Sequence, residues 1–326
     1  MKTELLELLR CPKTGQRLIL KTDENNSYDV QSGWLVSEDG LNRYPLQNAI
    51  PRFVPESNYA DNFGMQWNHF SKTQLDSHSG LPISSNRFWL ATNWLPNDMK
   101  DHWVLDVGCG AGRFAEVALK AGAKVVALDY SGAVDACYAN LKQYTNLHVV
   151  QADIYALPFV QGAFPFVYSL GVLQHTPDVA QAFAALPPMV KERGLLCVDY
   201  YLKEWKSIFH LKYWLRPITK RMDKTTLFSL LKNSITILLP LSRILGVIPL
   251  LGRVFKRCVP VANYYGTFLL TDQQHYEWSL LDTFDWLSPQ YDQPQTEKTV
   301  HRWALEAGMQ EIQVLKAGHL VCRGKK

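Results

Sequence analysis

The sequence predicts an α/β fold, an open and mostly parallel sheet with helices on both faces, carrying two appended parts. Three observations predict it. Residues 103–114, WVLDVGCGAGRF, run from an apolar stretch (Val104, Leu105, Val107) into Gly108, Gly110 and Gly112, then into helical spacing up to Gly122. That is strand, tight turn, helix. Apolar runs then recur at 124–128, 147–150, 164–170 and 195–199 with helical segments between them, the alternation of a parallel sheet. Finally, 311–315 and 320–323 flank Ala317-Gly318 as a terminal hairpin.

Composition sets the bounds. The 326 residues suffice for one large domain or two modest ones, and 47% hydrophobic content allows a full core. Six cysteines, none in a C-x-x-C pair, sit in apolar patterns. This suits reduced thiols in a cytoplasmic protein better than a disulfide framework. The start, MKTELLELLRC, has two glutamates within its apolar part, which argues against a signal peptide.

Residues 1–55 read as a small separate unit. Leu5, Leu6, Leu8 and Leu9 suggest a short helix before Cys11-Pro12, with strands at 18–20, 28–30 and 34–37 and a closing stretch at Arg43-Tyr44-Pro45 and Ile50-Pro51. This pattern resembles the zinc-ribbon-like domain of the tRNA-methyltransferase activator family. The ligands depart from it: Cys11 remains, but Thr14 stands at the second ligand position and no second pair follows. Structural zinc takes four ligands, so the unit reads as a metal-free remnant that serves as a packing or partner surface. Residues 56–100 connect it to the glycine loop. They include an aromatic helix at 62–70, which either packs across the sheet edge or brings Phe63, Gln66, Trp67 or Arg87 over a ligand.

The glycine spacing narrows that ligand. A dinucleotide fingerprint places its third glycine three residues after the second, where this chain has Arg113. The run from Asp106 is instead D-x-G-x-G-x-G. It resembles motif I of the class I S-adenosylmethionine-dependent methyltransferases. Later segments extend the resemblance: Asp129-Tyr130-Ser131 ends the second strand, Ala152-Asp153-Ile154 follows the third, and Leu170 leads into GVLQHTPD at 171–178. The resemblance implies a Rossmann-like, seven-stranded methyltransferase sheet with a terminal antiparallel hairpin, binding S-adenosyl-L-methionine. It implies loop contacts from Asp106, Gly108, Gly110, Gly112 and Arg113. It gives Asp129 to the ribose hydroxyls and Tyr130 and Ser131 to its neighbourhood. Asp153, Ile154 and Leu170 fall around the adenine and the strand tip. Asp129 and Ser131 also read as helix N-caps.

Open α/β sheets bind ligands beyond the carboxyl ends of their strands. The segment with His175 therefore lies where donor and acceptor meet. Two roles stay open for His175: catalytic base, or a residue that orients its loop. Tyr200 and Tyr201 end the fifth strand, facing the crevice or the core. A helix is expected over 179–192.

Residues 202–265 interrupt this scaffold as a basic helical cap, with the catalytic domain over 101–201 and 266–326. Within 202–262 lie twelve Lys and Arg against two acids, a net +10, in a chain whose total is +4. The remainder is therefore −6. Two or three basic amphipathic helices are expected. The stretch 235–251 contains Pro240, Arg243 and Pro249. A mid-bilayer arginine costs about 2.5–3.5 kcal/mol, so a spanning helix is rejected. Docking at an anionic membrane surface is allowed. Nucleic acid is disfavoured, since no reading motif accompanies the charge.

Residues 278–292 read as a polar, aromatic loop, with Asp285, Tyr291 and Asp292 either lining an acceptor pocket or forming turns. Thr296 reads as the N-cap of a helix stopped by Gly308. The function expected is methyl transfer to a small-molecule acceptor, such as a phosphorylated, glycan or lipid-linked intermediate. RNA-directed methylation and a non-catalytic donor-binding scaffold are the rivals. The acceptor atom and the oligomeric state do not follow from these residues.

Overall fold

The structure, a computed structural model, describes residues 1–24, 29–55, 61–204, 210–248, 252 and 258–326. The N-terminal unit is helix α1 (Leu5–Leu8) and a four-stranded antiparallel sheet in the order β1 (Leu18–Lys21), β2 (Gly33–Ser37), β3 (Arg43–Gln47), β4 (Ile50–Pro51). The stretch expected only to close the unit is thus strand β3. The strand expected at 28–30 has Tyr28 outside the described residues, and Asp29 makes an isolated bridge to Lys2. Cys11 is buried with its Sγ 3.2 Å from the Tyr44 hydroxyl. The unit is not detached. Leu9, Leu35 and Leu46 share one core cluster with Val126, Val150 and Phe159 of the main domain. Arg52 also pairs with Asp135 at 2.6 Å and donates to Gln151 at 2.9 Å.

Four helices follow: α2 (Asp61–His69), α3 (Asp76–Ser79), α4 (Ile83–Thr92) and α5 (Pro96–Met99). The central sheet then forms from β5 (Trp103–Val107), β6 (Lys124–Asp129), β7 (Leu147–Gln151), β8 (Phe164–Ser169), β9 (Val190–Tyr200), β10 (Gln310–Ala317) and β11 (His319–Lys325). Its order is β10-β11-β9-β8-β5-β6-β7. Strands β5 to β9 are parallel; β11 runs antiparallel to both of its neighbours. This is the seven-stranded sheet with terminal hairpin that the sequence predicts. Because helices cover both faces, β5, β6 and β7 are buried on both sides and read as unbroken apolar runs. Strand β5 pairs with β6 on one side and β8 on the other, so the chain reverses direction across the sheet there. That switch opens a crevice at the strand tips.

Helices α6 (Arg113–Lys120) and α7 (Ala133–Leu141) follow the first two strands. Helix α8 covers only Val179–Ala184, not 179–192, because Pro187 and Pro188 cannot continue it. Its N-cap is Asp178, accepting from the Gln181 amide at 3.0 Å.

The inserted segment holds α9 (Leu211–Thr219) and α10 (Lys224–Gly246). Lys206, Arg253, Lys256 and Arg257 of its charge count, and residues 249–251 of its long apolar stretch, lie outside the described residues. The expected loop at 278–292 begins instead as helix α11 (Asp272–Leu287). A capping box starts it: Thr271 accepts from the Gln274 amide and Gln274 answers to the Thr271 amide. Trp278, Leu281 and Phe284 recur three apart and are buried. Phe284 and Leu281 pack against Leu227, Leu231, Ile235 and Leu239 of α10. The polar residues between them made this stretch look like a loop. Helix α12 (Glu297–Glu306) then starts from Thr296, which accepts from the Thr299 amide at 3.2 Å.

Candidate functional site

A cavity of about 830 Å³ opens at the tips of β5, β6, β8 and β9, roofed by α2 and α11. Its floor is the loop after β5. Gly108, Gly110 and Gly112 take φ of +89°, +53° and +96°, a region that side chains disfavour. A Cβ on Gly108 would stand 2.3 Å from Val172 Cγ2, and one on Gly110 would stand 3.2 Å from the Trp67 indole. These two glycines therefore let the loop lie flat under the roof. Gly112 has a different duty. Its Cβ would meet Leu141 Cδ1 at 2.6 Å, so it lets α6 approach α7.

Asp129 stands at the end of β6. One carboxylate oxygen accepts from the Gly110 amide at 2.9 Å; the other accepts from the Ser131 amide at 2.9 Å and the Ser131 hydroxyl at 2.7 Å. Burial nevertheless raises its pKa above the ordinary carboxylate value. Each carboxylate oxygen has two lone-pair directions, so the oxygen bound to the Gly110 amide keeps one open, enough for one ribose hydroxyl.

Of the residues singled out from the sequence, Gly108, Gly110, Arg113, Asp129, Tyr130, Ile154, Leu170 and His175 line the cavity. Four do not. Asp106 is buried below the loop, and burial pushes its carboxyl up to about 8. Gly112 serves helix packing. Ser131 is fully buried and holds Asp129 from behind. Asp153 spends its carboxylate on the Tyr155 amide at 3.0 Å, capping a single 3-10 turn.

His175 is held through Nδ1, 3.0 Å from the Tyr291 carbonyl oxygen. A carbonyl only accepts, so Nδ1 carries the proton and Nε2 carries the lone pair. Nε2 is buried and has no partner among the described residues. The ring lies 5.5 Å from that of Phe63 and 5.6 Å from that of Tyr201.

The rest of the wall is side chains from distant parts of the chain. Arg87 pairs with Asp199 at 2.7 Å. Burial works to raise the Asp199 pKa, but Arg87 prevails and holds it below the ordinary value. Arg113 donates to Ser84 Oγ at 2.8 Å and Gln74 Oε1 at 2.9 Å. Burial, with Arg87 nearby, brings it down to about 10. On α11, Asp282 accepts from Gln74 at 3.1 Å and from the Tyr264 hydroxyl, and burial lifts it to about 6. One turn on, Asp285 accepts from the Tyr201 hydroxyl at 3.4 Å and from Gln66 at 3.5 Å. His319, from the terminal hairpin, is lowered to about 4 by burial and Arg87. Tyr201 faces the cavity and Tyr200 the core.

Sequence reasoning missed Tyr264, Trp278, Asp282 and His319. Had the capping box and the three-residue recurrence been read as a helix, Asp282 and Asp285 would have fallen on one face. Asp292, offered with Asp285 as a pocket residue, is instead buried beside Lys212 at 3.5 Å and Arg216 at 3.7 Å.

The donor-side residues fit S-adenosylmethionine. The cavity borders both the glycine loop and Asp129, so a nucleoside within it can lie along the loop backbone with a ribose hydroxyl at the strand-end carboxylate. Residues 105–198 match the family model of a methyltransferase domain. The ubiquinone biosynthesis O-methyltransferase of Bartonella quintana is 30% identical over 130 residues, 36% of this chain and 50% of that protein. The malonyl-[acyl-carrier protein] O-methyltransferase of Pseudescherichia vulneris is 34% identical over 119 residues, 36% of this chain and 45% of that protein. A S-adenosylmethionine-dependent methyltransferase structure from Aquifex aeolicus is 12% identical, with a TM-score of 0.39 over 73% of this chain and 90% of that one. The chain spans half or less of the length of these two curated relatives. Sheet order, glycine loop and family match agree that the chain carries a class I S-adenosylmethionine-dependent methyltransferase domain, whose cofactor is S-adenosylmethionine.

Proposed function

We propose that the protein methylates an oxygen of a small acceptor held between the glycine loop and α11. One observation carries this reading: one continuous cavity runs from Asp129 and Gly110 to His175, Asp282 and Asp285. At about 830 Å³ it sits high in the ordinary range for small-molecule sites, about 300–1,000 Å³, which leaves volume for donor and acceptor together. A roof of α2 and α11 suits a small molecule better than a nucleic-acid strand. The two relatives named above are both O-methyltransferases, which favours oxygen as the acceptor atom.

Asp129 would hold the ribose, and Arg113 and Arg87 would supply positive charge for the donor's carboxylate. Bound S-adenosylmethionine supplies an activated methyl group on sulfonium sulfur. Alignment then dominates the rate, since well-held partners reach effective molarities of about 10⁵–10⁸ M. His175 Nε2 takes the acceptor hydroxyl proton, contributing on the order of 10²–10⁴-fold. For that, Phe63 on α2 must move aside, because Nε2 is buried next to its ring. The acids of α11 with Tyr201 and Tyr264 offer hydrogen-bond partners to an acceptor rich in hydroxyls, such as a glycan intermediate.

Incubation with labelled donor and fractionated cell extract tests this. Label in a small-molecule methyl ether, which resists base, or methyl ester, which base releases as methanol, is the expected result. Label in RNA, or in no fraction while donor binds, overturns it in favour of an RNA methyltransferase or a scaffold.

A further inference from the structure

From the outer face of α10 we infer a second function: the cap docks on an anionic lipid surface. Leu230, Ile237, Leu241, Ile244 and Ile248 follow one another at spacings of seven, four, three and four residues, and all are exposed. Ile237 is 72% and Ile244 65% exposed, and neighbouring Val247 reaches 77%. At 1.5 Å per residue the helical part of the stripe, Leu230 to Ile244, is about 21 Å long, and Ile248 lies just past the helix end. The opposite side of the same helix, Leu227, Leu231, Ile235 and Leu239, is already buried against α11. The helix is therefore apolar on two sides, and the described residues cover only one. Isolated exposed apolar residues are ordinary, but a continuous stripe marks an interaction surface.

Charge identifies the occupant. The segment 202–262 is net +10 against −6 for the rest of the chain. Its two acids are engaged, Glu204 with Lys316 at 3.1 Å and Asp223 as the N-cap of α10. Lys212, Arg216 and Lys224 point inward, to Asp292 and to carbonyls of the 286–289 turn. Lys203, Arg221, Lys232 and Arg243 are exposed and have no acidic partner among the described residues. An apolar stripe within a cationic segment matches a headgroup layer that is negative outside and apolar beneath. The stripe's spacing would also fit a coiled-coil seam with a second copy, but that would bring two strongly cationic segments together.

The helix is long and apolar enough to cross a membrane by length and composition. Its contact with α11, which carries Asp282 and Asp285, ties it to the globular domain instead. It lies in the plane of the interface and does not span it. This inference stands apart from the methyl-transfer reading, since lipid binding is measured without turnover.

Cosedimentation of the full chain with vesicles, in about 0.1 M salt where the Debye length is about 10 Å, tests it. Vesicles with about one-third phosphatidylglycerol should bind the protein at least tenfold better than pure phosphatidylcholine. Ile237→Glu with Ile244→Glu should reduce that binding tenfold or more while the melting temperature and donor affinity hold. Should those substitutions disturb the helix, Arg221→Glu with Lys232→Glu lies wholly on the surface and should reduce binding several-fold. Equal binding to both vesicle types, or no binding to either, overturns the inference. A dimer in light scattering that Ile237→Glu dissociates assigns the stripe to a second copy and overturns it too.

Discussion

One wall of the cavity is backbone, and the other is side chains. The donor wall comes from a continuous stretch, Gly108 to Asp129, in which a β-strand, three left-handed glycines and a carboxylate follow in order. The facing wall, the acceptor side in the proposed reading, collects Gln74, Arg87, Tyr201, Tyr264, Asp282, Asp285 and His319 from six separate elements and loops. The difference is physical. Backbone conformation is a local property that residue spacing records, because only glycine takes positive φ cheaply. A wall of side chains is decided by packing between elements, which leaves no local trace.

The largest effect expected breaks the donor wall. Gly108→Ala combines a left-handed φ, costing about 1–2 kcal/mol, with a Cβ pressed against Val172 at 2.3 Å, and overpacking adds about 1–3 kcal/mol. Chemical denaturation should show a loss of about 2–5 kcal/mol. Val172→Ala added to Gly108→Ala removes the contacts to Cγ2 and Cγ1 at 2.3 and 2.6 Å but leaves Cβ at 2.9 Å, so it relieves part of the steric cost and none of the φ cost, and recovery is partial. Full recovery would mean that backbone strain plays no role here.

Next comes the boundary between the walls. His175→Ala should reduce turnover about a hundredfold or more while calorimetry finds donor affinity unchanged. Phe63→Ala, which removes one of the two rings beside the imidazole, should lower the rate far less. A loss under fivefold in His175→Ala would leave the histidine as a prop for the Tyr291 loop.

Third, Asp129→Ala should weaken donor binding at least tenfold, since hydrogen bonds to a charged group are worth about 1.5–3 kcal/mol each. Asp129 also tethers the Gly110 amide, so Asp129→Asn, which keeps an acceptor oxygen, should lose less. Equal losses would place the whole effect on negative charge.

The same contrast explains what was legible. Sheet order, the hairpin and the glycine loop were readable because hydrophobic period and glycine placement are local signals. Within the loop, Asp106, Gly112 and Ser131 were grouped with ligand contacts, although they support the loop from beneath or behind. Spacing shows that a glycine is needed, not which neighbour needs it: Val172 and Leu141 are 64 and 29 residues away from theirs. Helix α11 was read as a loop because its cavity-facing acids interrupt the apolar count. Those acids are the part of it that lines the cavity. Polar residues on the inner side of a helix mimic a loop when the cavity they face is unknown.

The last effect expected belongs to the acceptor wall and sharpens the comparison through pH. Burial raises Asp282 from 3.8 to about 6, with Tyr264 and Arg113 pulling the other way. An acid with a raised folded value keeps its proton longer in the folded chain than in the unfolded one. As pH rises from about 4 to about 6, the unfolded chain ionises first, so this group's contribution to stability falls across that window and is level above it. Asp282→Asn cannot ionise. Its stability relative to the wild type should therefore rise between pH 4 and 6 by about 3 kcal/mol, seen as a melting temperature higher by a few degrees. Donor affinity should not change, because Asp282 stands on the acceptor side. Were donor affinity to follow the same pH profile, the two walls would be electrostatically one site, and Arg113, which lies between Gln74 and the loop, would be the link that joins them.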